Sequence, residues 1–271
     1  MSEFLSDADF ERFRKLIYDE SGIHFSESNR TILESRLRER IKVASLATVG
    51  AYFGHVTGDE EELKVLLDAV TTNLTRFYRN AAHWQAFENY VLPDLIAYKR
   101  DTNDRTFRIW SAGCSTGEEP YTIAMEMLER LPTGFNAEIW GSDISLKSVL
   151  TGQQGFYPDS RISGIPESSL DKYFVRKEGG YQVTDALKRQ IRFDYHNLKN
   201  DSGKRGFDVV FCRNVLIYFD EAAQKAVIDR FWEAMANHSF LFIGHSESLF
   251  GMETDFTFVR TDWASLYAKD R

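Results

Sequence analysis

Two consecutive carboxylates, Glu118 and Glu119, stand where the pattern of a strand, a glycine-bearing turn and a helix runs without interruption. The stretch "SAGCSTGEEPYTIA", residues 111–124, comes after the apolar run Phe107-Arg108-Ile109-Trp110, and Pro120 falls in the first turn of a helix running on through Leu128. That arrangement usually cradles a phosphate, because free N–H groups at the helix N-terminus face an anion. Two negative side chains there repel a polyphosphate, so the pattern points to a cationic ligand. Two more polar residues close apolar runs: Asp143 after "AEIWGS" and Asn214 after "FDVVFCR". In open α/β sheets ligands bind at the carboxyl ends of the strands, where the strand order reverses, and an acidic residue ending the second strand suits ribose hydroxyls. Adenosine without phosphate but with a positive centre describes S-adenosylmethionine, with Glu119 near its ammonium or sulfonium.

The elements that must position these residues can be read from periodicity. Residues 1–80 read as all-helical, with Phe4, Phe10, Phe13, Leu16 and Ile17, then Leu33, Leu37 and Ile41, then Leu63, Leu66, Leu67 and Val70 near helical spacing. A bridging helix is expected within 81–105, after "TTNLTRFYRN". From residue 106 to 271 strands alternate with helices, the strands at 107–112, 138–143, 190–195, 207–212 and 239–244. This predicts an α/β domain with a mostly parallel sheet covered on both faces. The last two strands, near 256–261 and 263–269, are too tightly joined for a helical crossover and should form an antiparallel hairpin at the sheet edge. The interval of about 155–190 is too long for one crossover. Its "KYFVRKEGGYQVTDAL" reads as a hairpin around Gly179-Gly180, a small antiparallel β insertion.

Composition narrows the function classes. With 43% hydrophobic residues the 271-residue chain can bury a full core, and no run is long enough for a membrane span. The N-terminus lacks the basic-then-apolar order of a signal peptide, and two cysteines, Cys114 and Cys212, favour a reducing cytoplasm. A formal charge of −8 argues against a nucleic-acid partner. The six histidines have no paired ligand spacing, so no metal is expected. "GHSESLFG" resembles a hydrolase elbow, but Ser248 replaces its last glycine and no histidine follows His245, which reads as a strand-end residue near the site. A nicotinamide site would want a third glycine after Gly113 and Gly117. Tyr218 reads equally as a packing aromatic or as a group in the site. The segment "RTILESRLRERIK" carries Arg36, Arg38 and Arg40 on a helix whose Leu33, Leu37 and Ile41 face elsewhere, a pattern that by itself describes an ordinary solvated face.

The ordered motifs "NLTRFYR", "SAGCSTGEEPYTIAM", "SDI", "HNL", "FDVVFCRNVLIYF" and "FIGHSESL" resemble those of the CheR family, the chemoreceptor glutamate methyltransferases of bacterial chemotaxis. The resemblance covers nearly the whole chain. It implies a class I S-adenosylmethionine-dependent methyltransferase fold of seven strands, behind an all-helical N-terminal domain. It implies cofactor contacts from Asn73, Thr75, Arg79, Glu119, Asp143, Asn197, Leu198, Asn214 and Val215, release of S-adenosylhomocysteine, and Arg79 and Tyr218 facing the reacting groups. It further implies a partner in the helical cytoplasmic domain of chemoreceptors, docking through Arg36, Arg38 and Arg40, and a place in the cytoplasm at receptor arrays on the inner membrane, without membrane insertion. The tip "RKEGG" is shorter than in family members that dock on a receptor's C-terminal tether pentapeptide, so no tether docking is expected. The competing reading is a catalytically silent, cofactor-binding adaptor on the same arrays.

Overall fold

In the computed structural model the described residues are 4–270; residues 1–3 and 271, the extremes of the spans 1–80 and 106–271, lie outside them. Four helices come first: α1 (Asp7–Ser21), α2 (Arg30–Val43), α3 (Val49–Gly58) and α4 (Glu60–Val70). Ser6 caps α1 by accepting the Asp9 N–H, and Gly22 ends it in a left-handed conformation. Asp59 caps α4, whose first turn holds Glu60, Glu61 and Glu62, matching the helix dipole. Phe10, Phe13, Leu33, Leu37 and Leu66 are fully buried in the core of this bundle, as the spacing predicts, and Tyr52 of α3, outside that reading, is buried with them. The expectation of helix as far as residue 80 fails, because α4 stops at Val70 and Thr71–Asn80 runs as an irregular segment. Thr71, Thr72 and Asn73 open that segment with no apolar residue at helical spacing, and it buries only Phe77 fully.

The bridging helix is α5 (Ala81–Ala86) and α6 (Leu92–Thr102), joined without a break by a π-helical turn at Phe87–Val91. The main sheet then uses β1 (Thr106–Ala112), β2 (Asn136–Asp143), β6 (Ile191–Tyr195), β7 (Phe207–Cys212), β8 (Met235–Ile243), β9 (Thr257–Arg260) and β10 (Ser265–Lys269). The spatial order is β6-β2-β1-β7-β8-β10-β9, with β1 pairing in parallel to both β2 and β7. The order reverses between β1 and β7, so the crevice that binds ligands opens above these two strands. All six residues of β7 are buried, as a central parallel strand requires. Helices α7 (Glu118–Arg130), α8 (Leu146–Gln154) and α11 (Glu221–Ala234) cover the sheet, and separate apolar clusters fill its two faces. The terminal hairpin is antiparallel as expected, but β10 lies inside it against β8 and only β9 is at the edge.

The insertion has three strands where the sequence suggested two: β3 (Phe156–Pro158), β4 (Phe174–Lys177) and β5 (Gly180–Val183), ordered β3-β5-β4, with short helices α9 (Glu167–Tyr173) and α10 (Asp185–Lys188) around them. Strand β3, three residues ending in proline, is too short to show a period.

Candidate active site

One cleft, with an empty volume of about 910 Å³ including space open to solvent, lies over the carboxyl ends of β1, β2, β6 and β7. Asn73, Thr75, Arg79, Glu119, Asp143, Asn197, Leu198, Asn214, Val215 and Tyr218 all line it. They come from five separate parts of the chain and are brought together by the strand order above.

The turn after β1 begins at Gly113, whose φ is +82°; a Cβ there would stand 2.4 Å from Val215 Cγ2, so the two strand-end loops touch backbone to side chain. Asp143 is buried, and its oxygens accept the Ser115 N–H at 2.7 Å and the Ser145 N–H at 2.8 Å. Burial pushes this carboxyl up, while those two N–H groups hold it down. Each oxygen keeps a lone pair, so a bidentate ribose contact stays available.

The paired carboxylates divide their work, which corrects the picture of two charges facing one ligand. Glu118 is 0% exposed and turned away from the cleft; it accepts the Thr116 hydroxyl at 2.7 Å and pairs with Arg161 at 2.5 Å. Arg161 sits just after β3, and Tyr157 of β3 donates to the Thr116 carbonyl at 2.7 Å. The β insertion therefore braces the ligand loop from behind. Only Glu119 enters the cleft, where it accepts the Ser111 hydroxyl at 2.7 Å and pairs with Arg213 at 3.1 Å.

Arg213, absent from the sequence reading, is the second cation of the site. Its side chain is 2% exposed, it bridges Glu119 to the Arg79 carbonyl, and burial pushes its guanidinium down from the usual range. A charged residue directly after the apolar run Val209–Cys212 was the available signal, since a buried charge demands a partner. The Arg79 carbonyl also accepts the Trp84 indole N–H at 3.1 Å, while its guanidinium donates to the Leu74 carbonyl at 2.9 Å. Tyr78 and Asn80 on either side have φ of 50° and 63°, and Ser115 and Asn214 in the cleft have 48° and 60°. Non-glycine residues in this region cost roughly 1–3 kcal/mol each and gather where geometry serves function.

The helical bundle closes the other wall. The His24 N–H donates to the Tyr218 carbonyl at 2.8 Å, the Asn197 amide to the Glu20 carbonyl at 2.7 Å, and the Tyr218 hydroxyl to the Thr72 carbonyl at 3.4 Å. His245 lies elsewhere: it is exposed and lines a neighbouring depression with His83 and Glu247.

Of the three α2 arginines expected to dock, Arg36, Arg38 and Arg40, the last departs from that expectation. It makes hydrogen bonds of 2.8–3.0 Å to Glu62 of α4, which also accepts the Tyr52 hydroxyl at 2.7 Å, in a network whose ion pair is only 15% and 11% exposed. Sequence spacing placed it on an outer face, but α4 packs there. Arg38 is exposed, pairs with Glu34 on its own helix and lies over the Phe4 ring; Arg36 is partly exposed.

The cleft's polar inventory fits an adenosine-bearing, amine-bearing ligand. Ser115 Oγ, His196 Nε2 and Arg213 Nε are buried in its wall with no protein partner, which implies a ligand or solvent to meet them. Residues 73–265 match the family profile "CheR methyltransferase, SAM binding domain", and residues 8–71 match "CheR methyltransferase, all-alpha domain". The chain belongs to the CheR methyltransferase family. Among curated CheR-type relatives it is similar to "Chemotaxis protein methyltransferase 2" of Vibrio cholerae, 36% identical over 253 residues, covering 90% of this chain and 87% of that one. It is also similar to "Chemotaxis protein methyltransferase" of Borreliella burgdorferi, 35% identical with 89% and 88% covered. The Escherichia coli protein of the same name is 33% identical over 262 residues, with 93% and 88% covered. The S-adenosylmethionine-binding unit of the family thus begins at the irregular segment carrying Asn73, Thr75 and Arg79.

Proposed function

We propose that this chain methylates bacterial chemoreceptors on glutamate side-chain carboxylates, using S-adenosylmethionine. The observation that carries the reading is the single cleft uniting Asp143, Glu119, Arg79 and Tyr218 at the strand-order reversal.

When bound, S-adenosylmethionine supplies an electrophilic methyl group on a cationic sulfur. Following the strand order, Asn197 and Leu198 at the end of β6 would hold the base, Asp143 at the end of β2 the ribose, and Glu119 the cationic end. Asn73 and Thr75 would close over it from the irregular segment, and Asn214 and Val215 from the loop after β7. Because Glu119 is already paired with Arg213, the cleft presents a neutralised carboxylate that can share a second cation without stranding the first.

A glutamate at neutral pH is already ionised, so no residue here needs to act as a base. The work left to the protein is to strip water from that carboxylate and aim one oxygen in line, and such positioning is worth roughly 7–11 kcal/mol. Arg79 would meet the carboxylate as a charge partner and Tyr218 as a hydroxyl donor. Arg79's existing bond to Leu74 leaves guanidinium donors to spare. Binding the ground state too tightly would lower KM without raising kcat.

The substrate surface would be the helical cytoplasmic part of a receptor, with Arg36 and Arg38 as its charged contacts, and the enzyme would work in the cytoplasm beside receptor arrays. Among the described residues no helix is long and apolar enough to cross a membrane. The turn of the insertion is two residues, Glu178 and Gly179, between strands of four. That supports recognition without a tether peptide, so titration with a tether-type pentapeptide should give no heat at about 100 μM, where a Kd of about 1 μM would be plain.

The deciding experiment incubates the protein with methyl-labelled S-adenosylmethionine and receptor cytoplasmic fragments, followed by peptide mass spectrometry. Alkali-labile label on glutamate is expected. Label on another residue type overturns the specificity, and cofactor binding with no transfer to any receptor fragment would favour the silent adaptor, which no feature of the cleft supports.

A further inference from the structure

The motif "FIGHSESL" contributes no residue to the contacts proposed above, yet its Glu247 reaches into the loop that carries Asn214, Val215 and Tyr218. Glu247 Oε2 accepts the Asn214 backbone N–H at 3.0 Å, and Oε1 accepts the Ile217 N–H at 3.2 Å. The same carboxylate takes the N–H of Gly244, while Glu247's own N–H closes a turn onto the Gly244 carbonyl at 2.9 Å. One side chain from the loop after β8 thus gathers three backbone donors, two of them belonging to the loop after β7.

We propose that Glu247 is a positioning residue for methyl transfer, fixing the loop that presents Asn214 and Tyr218 by accepting its backbone N–H groups. The inference rests on the reading of Tyr218 and Asn214 as site residues given above.

Two features show that the contact is built in. Asn214 sits at φ 60°, in the left-handed region that asparagine tolerates best among non-glycine residues, and the Glu247 carboxylate fixes its N–H there. Residues 216–218 form a single 3₁₀ turn, whose leading N–H groups have no partner within the turn, and the Glu247 carboxylate caps one of them from the loop after β8. Gly244 leaves the necessary room. A Cβ at that position would lie 2.5 Å from Glu247 Oε2 and 2.8 Å from the Asn214 nitrogen, so any larger residue pushes the clamp apart. Tyr218 itself is held from the opposite side, by the His24 N–H on its carbonyl. The backbone that carries Tyr218 is therefore held by two elements that share no sequence neighbourhood.

The test is E247Q in the full chain. Glutamine keeps one acceptor oxygen but turns an N–H₂ group toward a backbone donor, so the clamp loses part of its hold while volume is unchanged. Turnover at saturating receptor fragment should fall roughly tenfold, in line with the sensitivity of aligned transfer to small displacements. KM for the fragment should move less than about threefold. Amide hydrogen exchange in 213–218 of the enzyme without ligand should speed up, with exchange in α1–α4 unchanged. G244A should give the same pattern from the other side of the contact. Normal turnover in both variants, or a loss that only tracks the folded fraction, would overturn the proposal. If Arg79→Ala and Tyr218→Phe keep full turnover while exchange in 213–218 still responds to E247Q, the reading of the site fails instead.

Discussion

The strand-end cleft and the outer face of α2 both carry arginines, and they hold them in opposite ways. In the cleft, Arg213 is buried, bridges two loops and is surrounded by left-handed backbone at Tyr78, Asn80 and Asn214. On α2, Arg38 is exposed and pairs with Glu34 one turn away on its own helix. A buried charge with fixed partners stores geometry, because moving it strands a partner in a poor dielectric. An exposed one stores almost none and acts mainly by attracting an oppositely charged partner over a screened distance. Arg40 shows that sequence spacing alone cannot sort the two kinds, since it lies on α2 but behaves like the cleft residues.

Arg40 offers the largest effect. Arg40→Ala leaves the Glu62 carboxylate without its charge partner, met only by the Tyr52 hydroxyl, and should destabilise the bundle by about 3 kcal/mol, read from chemical unfolding. An effect within experimental error would return Arg40 to the solvated set and blur the contrast.

In the cleft, Asp143→Ala should weaken S-adenosylhomocysteine binding by about 1.5–3 kcal/mol in calorimetry, the worth of charged hydrogen bonds. Unchanged affinity in a folded variant would remove Asp143 from the ribose site.

The third effect belongs to His83, which lies behind Arg213 against Phe242 and is pushed down to about 3, chiefly by burial and then by the Arg213 charge. Between the ordinary value of 6.5 and 3 the unfolded chain binds a proton that the folded one refuses, so stability falls as pH drops through that window. At pH 5 the difference is roughly 2 kcal/mol. His83→Gln should therefore flatten the decline in Tm between pH 7 and 5, and an equally steep decline would assign acid sensitivity elsewhere.

The smallest effect tests α2. With Arg40 holding the fold, charge reversal belongs at Arg36 and exposed Arg38. The double variant should raise KM for receptor fragment roughly threefold at low salt, with cofactor affinity intact, and the difference should vanish as salt rises. Normal KM at low salt would leave this face as plain surface.

How far the molecule could be read from its residues follows the same division. The central strands β1, β2 and β7 were legible because each is a largely apolar run with polar residues close behind it, a pattern that also marked Asp143 and Asn214, while the glycine-bearing turn after β1 marked Glu119. The fate of Glu118 was not legible, because a three-residue strand forty positions downstream brings Arg161 to it. Arg40 was misplaced for the same reason: helical spacing gives a residue's angle around its own axis, whereas its burial depends on α4. Glu247 carried no signal of its own, since its partners are backbone N–H groups that every sequence possesses.

The position of β10 has a consequence for biosynthesis. The strand nearest the end of the described chain lies between β8 and β9, so the sheet is completed by its last-made element. Until residues 265–269 emerge, the outer edge of β8, with buried Phe240 and Leu241, has no neighbour and offers a template for another chain. Synthesis stalled or clipped before Ser265 would yield an aggregating species that already contains every residue proposed for the reaction. Yield of soluble protein should therefore drop sharply for truncations that cross this strand, well before any loss of the residues in the cleft.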